Sequence, residues 1–343
     1  MLNAGPLLEQ LMLRESLSQT EAYSLFNSIM HGEQSEVMMA AVLTALKMKK
    51  ESPSEIAGAA SAMVANALPF PSPDYEFADI VGTGGDGHNT INISSAAAVV
   101  AAACGVKVAK HGNRSVSSKS GSADLFRQFG LNLEISPDVS KKCLDEANFT
   151  FLFAPVYHAG MRHAAPVRAA MKTRTLFNIL GPLANPAGPT HGVFGVYSPE
   201  LLEPYAKTLM LLGQHRAMIV HGDGLDELAL HGESLIYDLE HGDIRKLTVT
   251  SDDFGLPRFP LSAIEGGEPE ENKQFVEAAL NGEGKEAHRA AIAMNCGALL
   301  KVTDKASSFK DGAEMAMEAM AKGLPMQLLS KVAKITQEVS TNG

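Results

Sequence analysis

Residues 77 to 123 read FADIVGTGGDGHNTINISSAAAVVAAACGVKVAKHGNRSVSSKSGSA, and the fold is decided there. Phe77 to Val81 is a short, mostly apolar run that predicts a buried strand. It breaks at Gly82-Thr83-Gly84-Gly85-Asp86-Gly87, a loop with few side chains to cover its backbone N–H groups. Loops of this kind form concave nests for phosphate oxygens. Ser94 and Ser95 follow where an N-cap is expected, ahead of the Ala-rich run to Ala103, which sets the positive end of a helix beside the glycines. Val106 to Ala109 reads as a second strand. It leads into Lys110-His111-Gly112-Asn113-Arg114-Ser115-Val116-Ser117-Ser118, a loop with the cations Lys110 and Arg114, a glycine, and several hydroxyl and amide donors.

Charge placement points to an anionic ligand. No Asp or Glu occurs from Gly87 to Ala123, where Lys107, Lys110, Arg114 and Lys119 all fall. A second acid-free stretch runs from Ala147 to Pro199 and holds Arg162, Arg168, Lys172 and Arg174. With 39 acids in 343 residues, these stretches of 37 and 53 residues would carry about four and six if acids were evenly spread. Burial alone would also deplete Lys and Arg, and they are not depleted. The whole chain is acidic, with a net charge of −10, so these are local basic regions in a negative molecule.

The length implies one large or two medium domains, and 45% apolar residues with 30 glycines is the composition of a soluble α/β protein. Cys104, Cys143 and Cys296 show no metal-type spacing and read as reduced, buried thiols, hence a cytoplasmic protein. The longest apolar run, around Ala96 to Val106, is shorter than the ~18 residues of a membrane span. An acidic chain without a polybasic face argues against nucleic acid as the main partner.

Residues 1 to 70 read as helical. Ser18 with Glu21 makes a capping box, Gly32 with Ser35 a stop and restart, and Ser52-Pro53-Ser54-Glu55 a stronger helix start. Pro69, Pro71 and Pro73 mark a linker. From Phe77 onward strands and helices alternate. Leu131 to Glu134, Phe149 to Ala154, Val193 to Tyr197 and Ala217 to His221 read as strands, and Ser136-Pro137 and Ser198-Pro199 start helices. The expected fold class is α/β: a small all-helical domain, and a larger domain with a mostly parallel central sheet and flanking helices. Glu240-His241-Gly242-Asp243 predicts the turn of a hairpin added to that sheet. The chain is helical again from Glu270. The helical domain is expected over 1–72, joined by about 165–188, with the α/β domain over 76–164 and 189–338. A cleft would lie between them.

Gly82, Gly84 and Gly87 satisfy G-x-G-x-x-G, but the helix does not begin at the glycines. About 20 residues on, where a dinucleotide site needs an acid, stand Lys107 and Lys110. Asp223-Gly224-Leu225-Asp226-Glu227 follows a predicted strand, on the side where α/β ligands bind. Adjacent loop carboxylates are commonly just solvated. Beside a polyphosphate site, Asp226 and Glu227, with Ser94 as a hydroxyl ligand, suit Mg²⁺. His111, His158 and His163 have no partnered nucleophile, so none is assigned as acid or base, and covalent catalysis is not expected.

GTGGD at 82–86, NISS at 92–95, KHGNRSVSSKSGSAD at 110–124, the run from Tyr157 to Pro186, and GLDE at 224–227 together resemble the anthranilate phosphoribosyltransferase family. KHGNRSVSSKSGSAD alone is also similar to the pyrimidine nucleoside phosphorylases, so the combination decides. The resemblance covers nearly the whole chain and implies transfer of a phosphoribosyl group from 5-phosphoribosyl 1-diphosphate to the amine of anthranilate, in tryptophan biosynthesis. It implies the nucleoside phosphorylase/phosphoribosyltransferase type of fold and a homodimer joined through the helical parts. Carried over by motif, the phosphoribosyl diphosphate site takes Gly82, Gly85, Asp86, Thr90, Asn92, Ile93, Ser94 and Ser95, then Lys110, His111, Gly112, Asn113, Arg114, Ser115, Val116, Ser117, Ser118 and Ser122. Anthranilate would meet Gly82, Asn113, His158 and Arg168. Magnesium would be held by Ser94, Asp226 and Glu227. The chain departs from the family's usual pattern at Ala159-Gly160-Met161 and Met171-Lys172, near the expected acceptor channel.

Overall fold

A computed structural model describes residues 2–114 and 120–338. Four helices come first: α1 (Gly5–Met12), α2 (Gln19–Met30), α3 (Glu36–Lys49) and α4 (Pro53–Ala65). Ser18 and Ser52 form the expected capping boxes with Glu21 and Glu55, and Pro53 occupies the first turn of α4. Gly32, at φ +72°, ends α2 before Ser35 caps α3.

Glu55 does more than cap. It is fully buried, and its carboxylate accepts from the Leu17 N–H (2.9 Å), the Ser52 N–H (2.7 Å) and Lys49 Nζ (2.9 Å). Glu55→Ala would strand two N–H groups and leave the Lys49 ammonium unpaired. A loss of about 3–5 kcal/mol is expected in urea unfolding. A change below ~1 kcal/mol would show that the carboxylate is not a structural tie.

After the linker come β1 (Ala78–Gly82), α5 (Ile93–Ala103), β2 (Val108–Gly112), α6 (Ser122–Gln128), α7 (Pro137–Ala147) and β3 (Phe149–Phe153). The acid-free insert supplies α8 (Ala154–Tyr157), α9 (Ala165–Met171) and α10 (Phe177–Leu180). Then follow β4 (His191–Gly195), α11 (Leu202–Leu211), β5 (Arg216–Gly222), β6 (Ser234–Glu240) and β7 (Asp243–Val249). The chain closes with α12 (Pro269–Leu280), α13 (Glu286–Val302), α14 (Phe309–Ala321) and α15 (Leu324–Glu338).

The sheet runs β3-β2-β1-β4-β5-β6-β7, parallel from β3 to β5 and antiparallel beyond. The hairpin turn has His241 at φ +48° and Gly242 at φ +90°, the backbone that a tight two-residue turn requires. Alternation along the strands divides the core between the two faces of the sheet. Val193, Met218 and Val220 face α5 and α13, while Phe194, Ala217 and Ile219 face α4 and α11. Ala164, Val167, Leu176 and Phe177 of the insert pack into the same cluster as Leu25, Phe26 and Leu43 of α2 and α3. The sheet's margins differ. All five residues of β3 are buried, whereas β7 presents exposed Asp243, Arg245 and Lys246. No helix among the described residues is long and apolar enough to cross a membrane.

Four sequence expectations need correction. Leu131 to Glu134 forms no strand. Leu131 and Leu133 are buried, but the N–H groups of Asn132 and Glu134 donate to the side chains of Thr336 and Asn132, not to a ladder. Strand β2 extends to Gly112, so Lys110, His111 and Gly112 lie in the sheet and not in a loop. Helix α5 starts directly after Asn92, which leaves Ser94 and Ser95 inside its first turn. Cys104 is only half-buried, unlike Cys143 and Cys296, and all three thiols are free.

Candidate functional site

The order of the sheet reverses between β1 and β4, and the site lies at their carboxyl ends, where open α/β sheets bind ligands. Gly84, Gly85 and Gly87 have φ of +67°, +77° and +87°, the left-handed backbone that turns peptide N–H groups into one concavity. Asp226 and Glu227 arrive from the loop after β5, which doubles back through a Gly222–Leu225 bridge. A Cβ on Gly82 would stand 2.1 Å from Asp226 Oδ2, and one on Gly195 would stand 1.6 Å from the Asp226 carbonyl oxygen. Glycine at both strand ends is what admits the acidic loop.

Asp226 Oδ2 accepts from the Gly84 N–H (2.6 Å), and Glu227 Oε1 accepts from the Ser94 N–H (3.1 Å) at the start of α5. The acids therefore tie the glycine loop and the helix start together. Burial, then the neighbouring Asp86 charge, pushes Asp226 up to about 7. Glu227 is raised well above the usual carboxylate range by burial and by the charges of Asp226 and Asp86. Buried acids that repel one another are relieved by a cation, and hard oxygen donors suit Mg²⁺. Among the described residues no cluster of three His, Cys, Asp or Glu could hold a metal alone.

Lys110 is buried, and its Nζ donates to the Ile80 carbonyl at 2.5 Å. Burial pulls its ammonium below the ordinary range, opposed by Asp79, Glu227 and Asp226. The ammonium thus stands behind the acidic pair and not in solvent. Asn113 is exposed, and its carbonyl accepts from Ser122 Oγ and the Ala123 N–H, each at 3.2 Å. Asn113 Oδ1 accepts from the Arg114 N–H at 2.7 Å. Gly112 packs so closely that a Cβ would meet Ser122 Oγ at 2.4 Å. Asn92 donates to the Ser120 carbonyl, and Thr90 bridges Glu265. Ile93 and Ser95 are buried, so their side chains face the core and not an open surface. Ser115, Val116, Ser117 and Ser118 lie outside the described residues.

On the insert side, the His111 and His158 rings meet edge to face at 5.1 Å. His111 Nδ1 is 3.3 Å from the Gly181 carbonyl oxygen, and His158 Nε2 is 2.8 Å from that of Ala184. Burial brings His111 down to about 3 and lowers His158, so both rings are neutral near pH 7. The half-buried Arg168 guanidinium lies 5.5 Å over the Phe177 ring, with no ion-pair partner among the described residues.

A model of the glycosyl transferase family, a/b domain, matches residues 74–326, and one of the helical bundle domain matches residues 5–67. The anthranilate phosphoribosyltransferase of Tolumonas auensis is 54% identical over 96% of this chain and 98% of that protein. The chain belongs to the anthranilate phosphoribosyltransferase family. The Psychromonas ingrahamii anthranilate phosphoribosyltransferase is 53% identical over 98% of each chain. Among solved structures, the anthranilate phosphoribosyltransferase of Thermus thermophilus superposes with a TM-score of 0.92 at 44% identity, over 96% of this chain and 99% of that one. The Saccharomyces cerevisiae anthranilate phosphoribosyltransferase, solved with PRPP and Mg, gives 0.89 at 29% identity over 96% and 97%.

One contact in this phosphoribosyltransferase escaped the sequence reasoning. Arg174 donates to the Gly85 carbonyl and stacks 4.1 Å over the Tyr197 ring, and the Tyr197 N–H donates to Thr83 Oγ1. The insert is thereby fastened to the glycine loop. The available signal was a cation in an acid-free stretch, which fixes a sign and not a partner.

Proposed function

We infer that this chain transfers the 5-phosphoribosyl group from 5-phosphoribosyl 1-diphosphate to the amine of anthranilate and releases diphosphate, the second step of tryptophan biosynthesis. Membership of the family supports the activity. The observation that carries the residue roles is the meeting of the positive-φ glycine loop with the Asp226–Glu227 pair at the sheet's switch point. In this reading the diphosphate lies over Gly82, Gly85 and Asp86, with Thr90, Asn92 and Ser94. The sugar phosphate is held by the segment from Lys110 to Ser118 with Ser122. Asp226, Glu227 and Ser94 would hold Mg²⁺, whose charge stabilises the departing diphosphate. Substrate phosphates and water would complete its coordination. The aryl amine is already unprotonated at neutral pH, so attack on an oxocarbenium-like carbon needs positioning and charge neutralisation more than a base. Anthranilate lies between Gly82, Asn113, His158 and Arg168.

Mixing the protein with anthranilate, phosphoribosyl diphosphate and Mg²⁺ should quench anthranilate fluorescence, and chelation should stop the loss. No loss in the complete mixture would overturn the activity. Arg168 is a planar donor suited to a carboxylate, and charged hydrogen bonds contribute about 1.5–3 kcal/mol. Arg168→Ala should therefore raise the anthranilate KM about 10- to 100-fold while kcat moves far less. An unchanged acceptor KM would remove Arg168 from the site.

The reading also takes 1–72, joined by about 165–188, as one domain beside the α/β domain, in a cytoplasmic homodimer. Exposed Met12, Leu13, Val37 and Met48 support that association. So does the ≈540 Å³ groove between α1 and α3, which Leu8, Met12, Ala45 and Met48 help to line. Light scattering should give twice the 36.4 kDa chain mass, and Met12→Glu with Met48→Glu should halve it. A parental protein at the single-chain mass would refute the dimer.

A further inference from the structure

Strand β1 pairs with β4 at five successive positions, and β2 with β3 likewise. Between β1 and β2 only Ala78 and Val108 pair. With the Ala78 N–H on the Lys107 carbonyl (2.8 Å), a continued parallel ladder would next join the Ile80 N–H to the Ala109 carbonyl, and then the His111 N–H to the Ile80 carbonyl. Neither rung forms. The Ala109 carbonyl accepts from Asn185 Nδ2 at 2.8 Å, and the His111 N–H donates to Asp79 Oδ2 at 3.3 Å. Lys110 Nζ covers the Ile80 carbonyl. The Ala109 and Ile80 carbonyls and the His111 N–H are thus each met by a side chain. Asn185 Nδ2 also donates to Asp79 Oδ2 (2.8 Å), which joins the two sides of the wedge.

Such a wedge is destabilising. Asp79 is fully buried, and its Oδ1 has no partner among the described residues. Val or Ile at 79 and 185 would let the ladder close with less desolvation of polar groups. What the wedge holds open is the gap between the strand end that carries the glycine loop and the strand end that carries Asn113. Asn185 also follows the Gly181–Ala184 segment, whose carbonyls hold His111 and His158.

We propose that Asp79 and Asn185 are positioning residues, which prise β1 and β2 apart by a fixed amount and so set the spacing between the diphosphate loop and the sugar-phosphate loop. The proposal rests on the assignment of those loops to phosphoribosyl diphosphate. Misplacement by about 1 Å at a distance from the chemistry can lower rates by up to about 100-fold. Asp79→Ala and Asn185→Ala should each raise the KM and calorimetric Kd for phosphoribosyl diphosphate by about tenfold or more. The double variant should be little worse than the worse single one, because the pair acts as one device. Asp79→Asn can still accept from the His111 N–H and Asn185, and should recover most of the lost affinity.

A merely structural role would lower the melting temperature and leave donor KM unchanged in the folded fraction, which would overturn the proposal. If Asp79→Ala does not fold, Asn185→Ala decides alone: a parental donor KM in that variant overturns it. A parental protein that itself fails to bind phosphoribosyl diphosphate would instead defeat the assignment of the loops.

Discussion

Asp226→Asn combined with Glu227→Gln is expected to cut kcat/KM for phosphoribosyl diphosphate by about three orders of magnitude and to abolish the response to Mg²⁺. Three decades correspond to about 4 kcal/mol of transition-state stabilisation, within reach of one divalent ion at a departing diphosphate. The amides can still accept from the Gly84 and Ser94 N–H groups, so the loop positions are retained. Both acids are disfavoured by burial and by neighbouring negative charge, so their neutral replacements should leave the melting temperature unchanged or raise it. A protein that is as stable as its parent, or more so, and nearly inactive is the pattern of a site maintained against stability. Metal-dependent turnover surviving in the double variant would exclude these acids as the metal ligands.

Gly195→Ala should be nearly as damaging, although nothing assigns Gly195 to a ligand. Its Cβ would lie 1.6 Å from the Asp226 carbonyl oxygen and 2.6 Å from the carbonyl carbon. Those are backbone atoms and cannot rotate aside. Gly195 is held on its other side by the pairing of β4 with β1 at Gly82, so the acidic loop must retreat. The retreat draws the Asp226 carboxylate off Gly84, and a loss of about 100-fold or more in kcat/KM is expected. The Mg²⁺ concentration for half-maximal activity should rise with it. Gly181→Ala is the matched control, since a Cβ there meets nothing within 4 Å. Near-parental turnover in Gly195→Ala would mean that the acidic loop does not need its present position.

Much of this architecture was legible because local chemistry announced it. Ser18 with Glu21, Ser52 with Glu55, and His241-Gly242 each specify their backbone within four residues, and each forms as read. The glycine loop and the acids at 226–227 were equally visible, one by composition and the other by its place after a strand. The misreadings share a cause. Leu131 to Glu134 alternates like a strand, but Thr336, more than 200 residues away, takes its backbone donor. No turn residue separates Ala109 from Lys110, and two polar side chains in succession read as the end of a strand. They are tolerated inside one because the Ile80 carbonyl receives Lys110 Nζ and the Gly181 carbonyl lies 3.3 Å from His111 Nδ1. Asp79 itself reads as one acid in an apolar run. Only the halted ladder reveals its partners.

The contrast between the margins of the sheet has a consequence for what can be added to it. A β-sheet recruits further strands wherever its border is flat and uncharged, and growth of that sort has no natural end. Here β3 is sealed beneath its neighbours, and an incoming strand at β7 would have to bury Arg245 and Lys246. Growth of the sheet by added strands is thereby discouraged at both margins.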